Sequence, residues 1–350
     1  MVDEKYISQI VESILNEMGV QNKKEKKLLG VFDEMGDAIK AAEVAYKQFR
    51  SYTVAQREKM IEKIRKYTLD NAQMLAELGV KETGMGRVSD KVIKHQLVAE
   101  KTPGTEDLDA KVWTGDRGLT LVEMAPYGII GSITPSTNPS ETVICNSMGM
   151  IAAGNAVVFN PHPGAKLTSN TAVDLVNRAI LEAGGPENLV VSVANPTMKT
   201  SDEMVKSKSV RMLVATGGPG VVKMLLSSGK KAIGAGEGNP PVIVDETADI
   251  KKAGADIVAG ASFDNNLPCI AEKECFVVSS VADKLIASML ENGAYLVKGS
   301  DIDKLIKVAL VEKDGKLVIN KSAVLKESFS VFHQFAQSYH KHLLDIFLVK

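Results

Sequence analysis

A regular alternation of strand-like and helical segments between residues 128 and 234 constrains the fold of this chain more than any other feature. Short runs of apolar and β-branched residues alternate there with longer segments of helical periodicity. The predicted strands are 128–133, 156–159, 189–193, 210–215 and 232–234, and the predicted helices are 140–153, 168–183 and one that starts at Pro219. Because strands that alternate with helices form parallel sheets, we predict an α/β fold with a doubly wound parallel sheet.

Three loops follow strands of this predicted sheet and end at one edge, where doubly wound sheets bind ligands. They span residues 134–139, 160–163 and 216–220. The third is rich in glycine and opens a helix, whose free amides and dipole favour a pyrophosphate; a plain tight turn is the alternative, because GxGxxG is absent. Together the loops predict a dinucleotide site. Its predicted contacts are Thr134, Pro135, Pro161, His162, Thr216, Gly217, Gly218 and Gly220.

Cys269 lies in a polar, proline-containing turn, residues 265–273, between an apolar helix and the strand-like run 275–278. Such a turn is where a chain would display a nucleophilic thiol, because unpaired backbone N–H groups favour the thiolate. The alternative is a buried, inert cysteine, which is the commoner use of the residue and the one we expect for Cys145 and Cys275. Cys269 is therefore the candidate nucleophile.

The composition favours a globular protein of the reducing cytosol. The chain has 350 residues, 45% of them hydrophobic, which is enough for two domains, and its 42 basic and 43 acidic side chains give no basic field for nucleic acid. Three widely spaced cysteines make neither a disulfide framework nor a metal site, so we expect no structural metal. No apolar run reaches the roughly 18 residues of a membrane span. We expect neither a nucleic-acid partner nor a membrane.

The first 20 residues carry a separate amphipathic pattern. Apolar residues recur at helical spacing, with charged and polar residues on the other face. The apolar stripe consists of Ile7, Ile10, Val11, Ile14, Leu15 and Met18. A linker over residues 21–35 follows, which predicts a detachable docking helix; a first helix that folds back on its own domain is the alternative.

Two further segments precede the predicted sheet. Residues 36–101 have helical periodicity throughout and are predicted to be scaffold. Residues 111–122 contain two strand-like runs around a Gly-Asp-Arg-Gly turn. They predict a hairpin that projects as an arm and whose exposed edge would accept a partner strand.

Five motifs, taken in order, resemble the aldehyde dehydrogenase superfamily, and above all its CoA-acylating branch, the bacterial acetaldehyde and propionaldehyde dehydrogenases. They are residues 134–139, 160–163, 215–222, 236–245 and 265–273. The resemblance covers about residues 28–321 and implies a nicotinamide-binding domain over 36–241, with 111–122 as an oligomerisation hairpin, and a partial catalytic domain over 242–322. It also implies that residues 1–20 target a shell protein of a bacterial microcompartment, with residues 3–18 making the contact.

The resemblance assigns chemical roles to the matching positions. Cys269 would attack the aldehyde to give a thiohemiacetal, hydride would pass to NAD, and the resulting thioester would pass to the thiol of coenzyme A. Asn138 and the backbone N–H of Cys269 would form an oxyanion hole, although a turn initiator is the alternative use of an asparagine before a proline. The implied function is CoA-acylating oxidation of a short-chain aldehyde by a homo-oligomer.

Two departures from hydrolytic members of the family are informative. Their water-activating glutamate corresponds to Gly234 here, so the acyl-enzyme would wait for a thiol. Glu237 is nearby but lies in a glycine-rich turn, and we expect it to be structural. In hydrolytic members a lysine contacts the adenosine ribose, and within residues 160–162 of this chain that lysine is replaced. The choice between NAD and NADP therefore stays open.

The resemblance ends near Ser322, whereas family members continue with the rest of the catalytic domain. Residues 323–350 hold four of the nine phenylalanines and three of the five histidines. This composition suggests a shifted reading frame, a truncation or a splice; an ordinary divergent helix is the alternative. Two rival functions therefore stay open: a catalytically dead fragment that acts as a docking module, and a hydrolytic aldehyde dehydrogenase.

Overall fold

The computed structural model describes residues 28–236, 238–313, 315–320, 330–332 and 346–349. Its strands are β1 (Val31–Phe32), β2 (Lys111–Gly115), β3 (Gly118–Val122), β4 (Ile129–Ile133), β5 (Ala156–Asn160), β6 (Val190–Val193), β7 (Val210–Thr216), β8 (Lys231–Ala235), β9 (Pro241–Val244), β10 (Glu274–Val277), β11 (Ala294–Val297), β12 (Leu310–Lys313), β13 (Lys316–Ile319), β14 (Ser330–Phe332) and β15 (Ile346–Val349). Its α-helices are α1 (Met35–Phe49), α2 (Val54–Asp70), α3 (Ala72–Thr83), α4 (Val88–Lys101), α5 (Pro139–Ala152), α6 (Lys166–Glu182), α7 (Met198–Lys206), α8 (Pro219–Leu226), α9 (Ile250–Ser262), α10 (Ser279–Glu291) and α11 (Ser300–Ala309).

The main sheet has six parallel strands in the order β1-β6-β5-β4-β7-β8. Strands β4, β5 and β6 are buried along their whole length, as expected for a parallel sheet covered by helices on both faces. The predicted α/β fold with a parallel sheet is confirmed. Because β5, β4 and β7 are neighbours, the three predicted ligand loops all start at one edge of the sheet.

Two details of the prediction were wrong. Helix α7 was missed because only two of its nine residues, Ser201 and Met204, are buried, so its apolar periodicity is weak. The linker predicted over residues 21–35 is too long, because Val31 and Phe32 pair with β6 as an edge strand. A two-residue strand is too short to give a period-two signal.

The described residues contain two separate apolar cores. The larger surrounds the main sheet and helices α1 to α7, and includes Phe49, Met60 and Phe159, all fully or almost fully buried. The smaller lies among β9, β10, α9 and α10, with Ile257 and Leu285 near its centre. The predicted boundary between residues 241 and 242 falls between these cores.

The hairpin predicted over residues 111–122 is confirmed. Strands β2 and β3 pair antiparallel, and every residue in both is exposed. Further along the chain, β14 and β15 belong to a small antiparallel sheet with β11, whereas most of the predicted tail over 323–350 lies outside the described residues. The predicted docking helix over 1–20 also lies outside them. Among the helices that the structure describes, none is long and apolar enough to cross a membrane.

Candidate functional site

Cys269 and Asn138, the two predicted catalytic residues, line the same cavity of about 560 Å³. Its walls come from α4, from α5 and from the segment 263–273, which we call the cysteine turn. Thr216, at the end of β7, also lines the cavity. The fold therefore places an exposed thiol and an amide side chain beside the ligand-binding edge of the sheet.

The cysteine turn has an unusual backbone. After α9, residues Asp264, Asn265 and Asn266 form a left-handed kink with φ angles of +47°, +55° and +59°. Each non-glycine residue in this left-handed region costs roughly 1–3 kcal/mol and persists only where the surroundings enforce it. Pro268, which follows the turn, is buried, and the next residue, Cys269, is exposed.

The carboxylate of Asp264 holds the start of this turn. It is completely buried and accepts hydrogen bonds from the Nζ atoms of Lys94 at 2.5 Å and Lys91 at 3.3 Å. The backbone N–H of Arg87 donates to the same carboxylate at 2.8 Å. Gly86 makes room for this contact, since a Cβ there would lie 2.1 Å from Asp264 Oδ1.

The start of α4 also binds the backbone around Asp264. The N–H of Asp264 donates to Asp90 Oδ2 at 2.8 Å, and the Arg87 guanidinium donates to Ser262 O at 2.5 Å. Arg87 and Asp90 form an ion pair with each other at 2.8 Å. The left-handed turn is therefore fixed to the scaffold helix at Ser262 and at Asp264.

Lys273 supports the other end of the turn. Its ammonium donates to Pro268 O at 3.2 Å and to Ala271 O at 3.0 Å, on either side of Cys269. Burial lowers the pKa of Lys273. Asn266 adds two hydrogen bonds to the carbonyls of Ala261 and Glu272, so the turn is closed at its base.

Gly238 lies closer to the backbone of Cys269 than any larger residue could. A Cβ at this position would lie 2.0 Å from Cys269 O and 3.2 Å from Cys269 Cβ. At Gly236, by contrast, a Cβ would meet no atom of the described residues within 4 Å. The chain entering β9 thus forms a wall against the cysteine turn.

Asn138 immediately precedes α5 but does not cap it. An asparagine in this place commonly accepts a hydrogen bond from the first helical turn, yet its side chain makes no such bond. Instead, Oδ1 accepts a hydrogen bond from Lys94 Nζ at 2.6 Å, and Nδ2 donates to Thr137 Oγ1 at 3.3 Å. This arrangement disfavours the alternative in which Asn138 serves as a turn initiator.

Lys94 is charged although it is buried. Burial alone would lower its pKa, but Glu141, 3.3 Å away, and Asp264 outweigh that effect and raise the pKa above its usual value. Glu141 is likewise ionised: burial would raise its pKa, but Lys94, His95 and Lys91 together lower it. The cavity wall therefore contains a network of fixed charges.

The three cysteines differ in a way that the sequence predicted only in part. Cys269 is exposed, as predicted, whereas Cys145 and Cys275 are half-buried. The expectation that Cys145 is simply a buried helix residue was wrong, because it lines the same cavity as Cys269. The helical period explains this: Cys145 is seven residues after Asn138 and shares its face of α5. In Cys275, burial raises the pKa of the thiol.

The predicted dinucleotide residues lie on the three loops at the sheet edge. The Thr134 hydroxyl is buried and has no hydrogen-bond partner among the described residues. Helix α8 begins at Pro219 without a side-chain cap, and space is open beside Gly217, Gly218 and Gly220. Three others in this set are Pro135, which is half-buried, Pro161, which is buried, and His162, whose ring accepts a hydrogen bond from Gly164 N. Of the set, Thr216 alone lines the cavity with Cys269.

Gly234 packs tightly where the hydrolytic relatives would carry their glutamate. A Cβ at this position in β8 would lie 2.5 Å from Val222 Cγ1. A larger side chain there requires the Val222 side chain to move. Glu237, the nearby carboxylate expected to be structural, lies outside the described residues.

Sequence reasoning missed the residues that support the site, above all Lys91 and Lys94. Both are buried in α4, whereas Ile93 and Leu97 on the same helix are about half exposed. From apolar periodicity alone, Ile93 and Leu97 would be expected on the buried face of α4 and the two lysines on the exposed face. A sequence signal does exist in the close spacing of two lysines and His95 on one helical face, but it does not reveal a buried carboxylate as their partner.

Comparison with known proteins identifies relatives of this chain. Residues 30–322 match the model of the aldehyde dehydrogenase family. An acetaldehyde dehydrogenase (acetylating) from Bilophila wadsworthia is 50% identical over 282 residues, which cover 80% of this chain and 58% of the relative. A propionaldehyde dehydrogenase from the fucose utilisation microcompartment of Clostridium phytofermentans is 56% identical with a TM-score of 0.78, covering 81% of this chain and 65% of that structure.

A second solved structure is of similar closeness. The propionaldehyde dehydrogenase of Rhodopseudomonas palustris, with bound CoA and an acylated cysteine, is 50% identical with a TM-score of 0.77 and the same coverage, 81% and 65%. The chain therefore spans 58% to 65% of the length of these relatives. The resemblance to the CoA-acylating branch stated from the motifs is confirmed.

We expect Gly238→Ala to disturb the cysteine turn and Gly236→Ala to leave it intact. Displacement by about 1 Å can cost on the order of 100-fold in rate, so acetylation of Cys269 by p-nitrophenyl acetate should slow by about that factor in Gly238→Ala. The measurement is the initial burst of p-nitrophenolate, with thermal unfolding of both variants as the control for folding. Equal bursts from the two variants would contradict the close contact between Gly238 and the turn.

Proposed function

This chain belongs to the aldehyde dehydrogenase family, and we propose that it carries the cysteine of a CoA-acylating enzyme that oxidises a short-chain aldehyde to acyl-CoA with reduction of NAD. The observation that carries this proposal is the exposed Cys269, held in a left-handed turn and sharing a cavity with Asn138. The relatives whose names specify acetylation or bound CoA support the same chemistry.

The first step is addition of the Cys269 thiolate to the aldehyde carbon, which forms a C–S bond and leaves negative charge on the carbonyl oxygen. That oxyanion needs donors. The Cys269 N–H has no acceptor among the described residues, and one N–H of Asn138 Nδ2 is left after its bond to Thr137. Loss of one such donor typically costs about 3–4 kcal/mol of barrier.

The loops at the sheet edge fit a nicotinamide dinucleotide. The uncapped start of α8 and the open space beside Gly217, Gly218 and Gly220 suit a pyrophosphate, and the buried hydroxyl of Thr134 lacks a protein partner. A bound nicotinamide supplies the hydride acceptor that converts the thiohemiacetal to a thioester. His162 and Pro161 would contact the distal part of the dinucleotide, and the proposal covers both NAD and NADP.

In the last step the thiol of coenzyme A, as a thiolate, attacks the thioester carbon and releases the Cys269 thiolate. Gly234 favours this outcome over hydrolysis, because the position lacks the carboxylate that would activate water. The two rivals differ in measurable ways. A hydrolytic enzyme would not need coenzyme A, and a catalytically dead docking module would form no thioester.

NADH formation from propionaldehyde, measured with and without coenzyme A, tests this proposal. We expect turnover that depends on coenzyme A and falls at least 1,000-fold in Cys269→Ala, the order expected when a nucleophile is removed. Cys275→Ala is the matched control, since that thiol lies in β10 away from the cavity, and should retain activity within about threefold. Turnover without coenzyme A would favour the hydrolytic rival. Absence of activity in the wild-type chain would favour the docking module.

Limited iodoacetamide labelling should modify Cys269 first. Preferential modification of Cys145 or Cys275 would contradict the role of Cys269 as the nucleophile.

Replacing both Gly217 and Gly218 by valine should abolish dinucleotide binding. Within the part of the chain that the structure describes, the new Cβ atoms would meet no atom within 4 Å, so the fold should survive, but the side chains would fill the approach to the start of α8. Calorimetric titration with NAD and with NADP measures the affinity, and chemical unfolding checks the fold. Unchanged affinity in a folded double variant would overturn the placement of the phosphates.

Partners of the whole protein are proposed on the same basis. The hairpin β2–β3, exposed on every residue, fits an oligomerisation arm of a homo-oligomer. The apolar stripe of residues 3–18 fits a shell protein of a bacterial microcompartment, since a relative of this chain comes from one. The enzyme would then work in the cytoplasm, inside such a compartment.

Deleting residues 1–20 should abolish co-localisation with microcompartment shells while leaving the stability of the rest unchanged. A stripe on so short a helix is marginal alone in water and needs a groove to fold against. Ile10→Glu with Ile14→Glu should act like the deletion, whereas Glu12→Gln with Glu17→Gln, on the polar face, should not. Fluorescence co-localisation and urea unfolding are the measurements. A loss of several kcal/mol on deletion would mean that the helix packs on its own domain.

A further inference from the structure

We propose that Lys94 is a positioning residue that turns the Asn138 amide so that Nδ2, and not Oδ1, faces the oxygen of a substrate carbonyl. The inference rests on the proposed function, in which Asn138 donates to an oxyanion. It adds a residue from the helical scaffold to the machinery for that reaction. It also connects the oxyanion donor to the turn that carries the nucleophile.

The two ends of an asparagine amide have nearly the same shape and opposite roles. Only Nδ2 donates, and a rotation by half a turn would point an acceptor at the developing negative charge. The Lys94 ammonium has three donors and no acceptor, so the Asn138 atom 2.6 Å from it must be the oxygen. With Oδ1 fixed in this way, one N–H of Nδ2 goes to Thr137 and the other is left for the cavity.

Lys94 is itself held in place. Its side chain is 8% exposed, and its ammonium also contacts Asp264 at 2.5 Å and Glu141 at 3.3 Å. These two carboxylates hold the charge in its ionised form and leave it little freedom to move. The same cation therefore orients Asn138 and binds Asp264, the first residue of the left-handed turn that leads to Cys269.

Lys91 offers a matched comparison. It lies on the same buried face of α4 and contacts the same Asp264 carboxylate, at 3.3 Å. Its second contact is the backbone oxygen of Thr137, at 3.2 Å, and not the Asn138 side chain. A variant at Lys91 therefore removes a buried cation near the turn without removing the donor that orients the amide.

The test compares two reactions of the same thiol. In the first, the Cys269 thiolate attacks the ester carbonyl of p-nitrophenyl acetate, takes the acetyl group and expels p-nitrophenolate, so it passes through an oxyanion. In the second, the thiolate displaces iodide from iodoacetamide, and no oxyanion forms. Neither reaction needs a dinucleotide. Removing one oxyanion donor lowers rates about 100- to 1,000-fold, so misorienting it in Lys94→Met should slow acetylation by about 10- to 100-fold. Alkylation should stay within about threefold of wild type.

Three further variants make the outcome decisive. Lys91→Met, which weakens the hold on Asp264 but leaves the donor that orients the amide, should change acetylation and alkylation by the same factor. Lys94→Met combined with Glu141→Gln removes the buried carboxylate that loses its ion-pair partner with Lys94, and keeps the test valid if the single variant does not fold. In an Asn138→Ala background, Lys94→Met should slow acetylation by less than about threefold further, because Lys94 acts through the amide. The inference would be overturned if the effects of Lys94→Met and Asn138→Ala on acetylation multiply in full. It would also be overturned if Lys94→Met slows acetylation and alkylation equally. A wild-type chain that releases no burst would instead overturn the proposed function.

Discussion

The buried carboxylate of Asp264 is the interaction on which the rest of the site depends. A carboxylate out of water costs several kcal/mol unless it is paired and hydrogen-bonded, and removal of a partner from a buried pair costs about 3–5 kcal/mol. Two lysines and the Arg87 N–H satisfy it here. Since these donors belong to the scaffold around the start of α4, the pairing joins the cysteine turn to a part of the molecule far away in sequence.

This pairing explains how the chain tolerates three successive left-handed residues. Asp264, Asn265 and Asn266 are among the residue types that reach this region at least cost, yet their combined strain is still of the order of several kcal/mol. Hydrogen bonds to Asp264 on one side and the Lys273 ammonium on the other offset it. The result is a turn rigid enough to fix Cys269 while leaving its thiol exposed.

The fold was largely predictable from the sequence, whereas the support of the site was not. Central strands such as β4 and β5 are continuous apolar runs because both faces are covered, and the turn residues before Cys269 are recognisable by type. Lys94 is different: it pairs with Asp264, 170 residues away along the chain, and only the folded structure shows that neighbour. Because Lys94 is buried, the buried face of α4 is not the one that its apolar residues indicate, and Ile93 is exposed. Local periodicity does not reveal a buried charge whose partner comes close only in the folded chain.

Packing also bears on the choice between water and a thiol as the final acceptor of the acyl group. Gly234 has no side chain because Val222 of α8 occupies the space where a Cβ would begin. A glutamate at this position would have to displace Val222, and Val222 belongs to α8, the helix whose uncapped start faces the proposed dinucleotide phosphates. Restoring a water-activating base would therefore disturb cofactor binding unless Val222 also became smaller. In this chain, the glycine at the position proposed for the base and the close packing of α8 on the sheet are one structural feature.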